Sequence, residues 1–198
     1  MEEVLVSLAK FSQQGLNLTM IYRFAIGFAI SFLLATTNPL LGPHLISAVN
    51  VTYPGGAPGA ALFLLRASVG VLFLLHGYPK ITHLQQWASS LKMPKFFCFL
   101  SALSMLLGGI CLICGFLTLL ASVAILGSMA FAMFLEISQG LPFVARDPYL
   151  IPPDQYKGPK GQGEPPSWEK AFIYCIMLIT IAILGPGAFS LDALIFGR

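Results

Sequence analysis

Five apolar runs dominate the chain: 20–36, 60–76, 96–114, 117–135 and 171–184, the last continuing past Gly185-Pro186-Gly187 into 189–196. A helix needs about 20 mostly apolar residues to cross a bilayer. Lipid offers the backbone no hydrogen bonds, so spanning segments are helices or the strands of a closed barrel. Barrel strands alternate apolar and polar residues, and these runs do not. The sequence predicts an all-α, polytopic membrane protein. Its composition agrees. Of 198 residues, 57% are apolar and 10% charged, against roughly 45–50% and about 25% in soluble domains. The net charge of +3 is too small for the basic stripe that nucleic acid wants. Four cysteines, set in apolar runs, do not make a disulfide scaffold.

The third and fourth runs meet at Gly115-Phe116-Leu117-Thr118, a tight turn that predicts an antiparallel hairpin. Ser101, Ala102, Ser104, Gly108 and Gly109 on one side are expected against Ala121, Ser122, Ala124, Gly127 and Ser128 on the other. Small residues let helices approach closely where lipid gives no hydrophobic drive to associate. The first run is read as a retained, additional transmembrane helix. Nineteen residues precede it, and Glu2 and Glu3 spoil the basic start of a signal peptide. Residues 1–19 carry Val4, Leu5, Leu8 and Phe11 at helical spacing. They are expected as an interfacial helix or as a frayed tail.

Five alternating helices would put the N-terminus and the loops 77–95 and 139–170 on one side. Lys10, Lys80, Lys92, Lys95, Arg146, Lys157, Lys160 and Lys170 fall there, and only Arg198 on the other. By the positive-inside rule the N-terminus is expected in the cytoplasm and the C-terminus outside. The loop 38–59 lacks charge and holds Asn50-Val51-Thr52, either an N-glycosylation acceptor or a chance match. The loop 139–170 holds seven of the fourteen prolines. It reads equally as a docking loop for a protein partner or as a stiff connector.

Ionisable groups inside a membrane are expensive and mark either function or a structural pair. Arg66 sits roughly 9 Å inside the second run, about six residues at 1.5 Å each. With Asp192 it would form an ion pair near the external face, fixing the bundle or serving a functional site. At the cytoplasmic end of the spans stand His76, Lys80, Glu136 and Arg23. Only His76 of the three histidines lies in a run, so neither a bis-histidine haem nor a metal cluster is expected. Cys111 and Cys114 form a C-x-x-C pair. They fall at a helix C-terminus, where the dipole disfavours a thiolate, so they read as a redox pair or as small apolar side chains. Cys98 and Cys175 lie towards the opposite face.

Leu65-Arg66, Gly70 and His76-Gly77-Tyr78-Pro79-Lys80 resemble the first-helix signature of the DoxX family. Gly108-Gly109 and Gly115-Phe116 are similar to its second-helix glycines, and the segment 185–194 to its C-terminal signature. The resemblance runs over about 60–196. It implies a four-helix membrane bundle and, in some members, a link to quinone-dependent redox. The additional N-terminal segment, the longer proline-rich loop and Glu136, where many relatives carry histidine, depart from the family pattern.

Three functions follow as expectations. The first is a quinone-linked redox protein, or a subunit of a membrane oxidoreductase. His76, Lys80 and Glu136 would then supply polar groups beside an apolar slot, with His76 exchanging protons. The second is a non-catalytic assembly or accessory subunit, docked to a larger complex through its cytoplasmic loops. The third, a small-solute carrier, would call for helix breaks in mid-span and an inverted repeat, and the chain offers neither clearly.

Overall fold

A computed structural model describes residues 53–145, 147 and 165–197. The chain divides into two units, Met1–Asn50 and Val51–Arg198. The first unit, and with it the tail 1–19 and the run 20–36, lies outside the described residues, as does most of the proline-rich loop.

The described residues form six helices and no strand: α1 (Gly56–Thr82), α2 (Leu84–Leu91), α3 (Lys95–Cys114), α4 (Thr118–Ser138), α5 (Glu169–Leu184) and α6 (Leu191–Phe196). Among them α1, α3 and α4 are long and apolar enough to cross a membrane. The fifth apolar run is shorter: α5 has 16 residues, about 24 Å at 1.5 Å per residue against a hydrocarbon core of about 30 Å. The chain continues from it through Gly185–Gly187 into α6, six residues long. Only a third of each long span is buried within the protein. Phe63, Leu75, Phe96, Leu107, Leu120 and Ile183 all point outward and exposed. Such a surface is stable only against lipid. The protein is membrane-embedded and multi-helical.

α3 packs against α1 on one side and α4 on the other; α4 packs on α5, and α5 returns to α1 by a thinner contact. Val69, Phe73, Met105, Leu112, Ile125, Leu178 and Ile181 fill the middle. The glycine pair of α3 serves two partners. A Cβ on Gly70 would lie 2.7 Å from the Gly109 carbonyl oxygen, and one on Gly109 would lie 2.8 Å from that of Gly70. α1 and α3 therefore cross backbone to backbone. Gly108 faces α4 instead, where a Cβ would meet Ile125 at 2.7 Å. The expected small-on-small contact of α3 with α4 is thus corrected in part. Ser104 and Ser128 do meet, hydroxyl to hydroxyl at 2.9 Å, but Gly109 is turned to α1. A helix running between two neighbours has two tight faces, and adjacent residues, about 100° apart, fall on different ones.

The turns explain the hairpins. Gly115 adopts φ +67, and Phe116 and Gly115 donate to the carbonyls of Cys111 and Leu112. This is a Schellman close, which satisfies the last carbonyls of α3. Gly140 ends α4 in the same way, with Leu141 donating to Glu136 and Gly140 to Ile137. α2 is a short helix that packs on α3 and on the end of α1. Its left-handed closing residue is Lys92, φ 53.

Candidate functional site

Polar side chains gather at two opposite ends of the bundle. At one end Arg66 is fully buried. Its Nη1 donates to the Leu112 carbonyl at 2.8 Å and its Nη2 to the Phe189 carbonyl at 2.6 Å. The guanidinium thus ties the close of α3 to the segment before α6. Its Nε is buried and unbonded.

Asp192, also buried, accepts from the Leu117 amide at 2.7 Å and from the Thr118 amide at 2.8 Å. Those amides open α4, whose own preceding residue, Leu117, offers no side-chain cap. Helix N-termini leave their first N–H groups unsatisfied and carry a partial positive charge. A carboxylate some 75 positions away in sequence supplies what the local chain lacks. The Asp192 amide in turn donates to the Gly115 carbonyl at 2.8 Å. The sequence expectation aims the Arg66 fork at the Asp192 carboxylate. In the structure both side chains join one knot around Gly115, yet every hydrogen bond each makes goes to main chain. The segment reaches this position because Gly185 and Gly187 take positive φ and turn the chain back. Ser190 then caps α6 by accepting from the Ala193 amide.

Cys111 and Cys114 lie in the last turn of α3 beside this knot, Cys111 half-buried and Cys114 exposed, both as free thiols. Cys98 and Cys175 are buried.

The opposite end holds the other sequence-derived residues. Lys80 turns inward from the last turns of α1. Its ammonium lies 3.4 Å from the Met105 sulfur and 4.9 Å from the centre of the Trp87 ring. A thioether is a weak acceptor and an indole face a modest cation partner. Glu136, near the end of α4, interacts electrostatically with Lys80. One of its carboxylate oxygens, Oε2, is buried with no hydrogen-bond partner. His76 is exposed at the flank of α1 and interacts electrostatically with Lys80. Its hydrogen-bonding neighbour is Tyr174 of α5, hydroxyl to Nε2 at 3.4 Å. The rings meet edge to face at 5.9 Å. The structure thus brings Lys80 to Glu136, and gives His76 a tyrosine as its neighbour. Tyr174 has no motif to announce it. Its one signal is a hydroxyl within an apolar run, at the depth of His76.

Beyond this end, the proline-rich loop is clamped at its two roots. Trp168 and Glu169 donate to the carbonyls of Pro142 and Phe143, and Phe143 packs on Trp168 with ring centres 4.2 Å apart. Among the described residues no cluster of three His, Cys, Asp or Glu is placed to hold a metal ion.

Comparison with curated proteins finds no match, and neither does comparison with solved structures. A family model does match. It covers residues 61–136, taking in Arg66, His76, Lys80 and Glu136, and it stops before Tyr174 and Asp192. That stretch runs from α1 to the last turn of α4, and over it the chain is similar to the family described as DoxX.

Proposed function

We propose that the protein is a quinone-linked redox component of its membrane, binding the head group at the His76–Lys80–Glu136 end. The observation that carries this reading is the buried Glu136 Oε2, with no hydrogen-bond partner, in electrostatic reach of an ammonium whose close contacts are a thioether and an indole. An unsatisfied buried polar atom is costly. A donor and an acceptor side by side, inside an apolar bundle, suit a small ring whose opposite oxygens are carbonyls in one redox state and hydroxyls in the other. A quinone and its quinol are such ligands. A bound quinone supplies two-electron, two-proton chemistry. In this reading Lys80 donates to a ring oxygen, Glu136 accepts from a ring hydroxyl, and His76 passes protons from the aqueous side to the ring oxygens as the quinone is reduced. The electrons come from a redox cofactor held by a partner subunit. The excess of Lys and Arg in the loops at this end supports a cytoplasmic orientation for it.

The test is extraction of the protein purified in mild detergent, with the co-purifying lipids identified. Bound quinone at near-stoichiometric yield, lost in Lys80→Gln and Glu136→Gln, is expected. Wild-type protein that neither retains quinone nor takes it up would refute the reading. A second reading, an accessory subunit, is favoured by the clamped roots of the proline-rich loop, since a loop held at both ends is anchored for docking. It calls for a co-purifying partner in place of quinone.

A further inference from the structure

The thin contact between α1 and α5 distinguishes one side of the bundle. The other neighbouring long helices are stitched by close glycine crossings, a serine pair or an extensive apolar face. At the Lys80 end this seam carries His76 from α1 and Tyr174 from α5. His76 is exposed, and Tyr174 is partly so. The Tyr174 ring rests on Phe73, which is fully buried and sits 5.0 Å from it, centre to centre. Polar side chains are costly where a helix flank meets lipid, and they persist there when something polar is met. The 3.4 Å separation of hydroxyl and Nε2 is long beside the usual 2.5–3.0 Å of a hydroxyl donor. Each group therefore keeps hydrogen-bonding capacity for a third partner. One helical turn further on, Lys80 points from the same helix into the interior towards Glu136. Polar groups thus lead from the lipid-facing flank to the open donor and acceptor inside. Apolar side chains line the flank deeper in the membrane: Leu72, one turn from His76, is exposed, and Met177, one turn from Tyr174, is half-buried.

We propose that the α1–α5 seam is the lateral entrance for an isoprenoid quinone, and that Tyr174 is a head-group-binding residue at its inner end. This rests on the quinone reading above. The head group passes between His76 and Tyr174 and accepts a hydrogen bond from the Tyr174 hydroxyl, while the isoprenoid tail stays in lipid along Leu72 and Met177. A hydrophobic substrate then never crosses water, and the seam that yields is the one with least packing to lose. Tyr174 lies outside the residues matched by the family model, so it is assigned by geometry alone.

The experiment uses the full chain in lipid nanodiscs with a short-chain alkyl benzoquinone as probe, read by quenching of tryptophan fluorescence. Tyr174→Phe removes one hydroxyl and keeps the ring contact with Phe73. It should weaken the probe's Kd about 3- to 10-fold, the worth of one hydrogen bond. Tyr78→Phe, at an exposed tyrosine on the same helix as His76, should leave it unchanged. A benzoquinone bearing a photoreactive group on its alkyl tail, applied to the wild-type protein, should label α1 and α5. This second arm stands even if the tyrosine variant folds poorly. A wild-type protein that does not bind the probe refutes the quinone reading itself. Binding that Tyr174→Phe leaves unaltered, or labelling confined to α3 and α4, refutes the entrance and leaves the reading intact.

Discussion

Replacing Asp192 by Ala should cost the bundle far more than its place near a chain terminus suggests. The carboxylate accepts two charge-assisted bonds, at 2.7 and 2.8 Å, from the first amides of α4. Bonds of this kind contribute about 1.5–3 kcal/mol each. Their loss also leaves the buried Arg66 without the negative charge of its knot. Together these put the cost at about 3–5 kcal/mol. For a unit of this size about 2–4 °C of melting temperature goes with each kcal/mol, so a fall of about 10 °C is expected. Asp192→Asn keeps one acceptor oxygen and should lose about half as much. Thermal unfolding in detergent, followed by circular dichroism, measures the total. Hydrogen exchange at the Leu117 and Thr118 amides measures the cap itself, and both should exchange faster in the alanine variant. An Asp192→Ala protein that melts within about 2 °C of wild type, with those two amides still protected, would refute the capping argument.

Gly70→Val should separate α1 from α3, because even a Cβ there would lie 2.7 Å from the Gly109 carbonyl. Overpacking of this kind costs about 1–3 kcal/mol or more, read as a lower melting temperature in detergent. The double variant Cys111→Ser, Cys114→Ser should keep its stability and the quinone-linked activity proposed above. Loss of that activity at normal protein levels would instead make the pair a redox site. The charge asymmetry of the loops predicts that a reporter fluorescent only in the cytoplasm, fused after Arg198, stays dark. A bright fusion would reverse the proposed orientation.

The sequence displays the spans and hairpins well because both are local properties. Apolar length marks α1, α3 and α4, and Gly115-Phe116 marks the turn between two of them. Even so, α5 is shorter than a full crossing, since the run that carries it is broken by Gly185-Pro186-Gly187. The sites are less legible. Arg66 and Asp192 stand out as charges in an apolar context, and pairing them is the natural reading. The structure joins them through Gly115 and through main-chain groups, which have no signature in a list of side chains. Glycines reveal a close approach but not its direction, so Gly108 and Gly109 look like one face and serve two. Tyr174 carries no charge and no motif. It matters only because the fold sets it beside His76, 98 positions away in sequence.

The cap on α4 also imposes an order on assembly. Thr118 and the carboxylate that holds its amide are 74 positions apart. At a synthesis rate of roughly 5–20 residues per second, about 4–15 seconds separate their emergence from the ribosome. During that interval the α3–α4 hairpin can enter the membrane, but its bent tip carries amides with no partner from its own sequence. Water or lipid phosphates at the membrane surface must serve them until α5 has packed on α4 and the Gly185–Gly187 turn delivers Asp192. The segment that follows α5 therefore acts as a clasp. A chain truncated before residue 192 would keep α1, α3, α4 and α5 with an unlocked end, a difference that membrane quality control is able to sense.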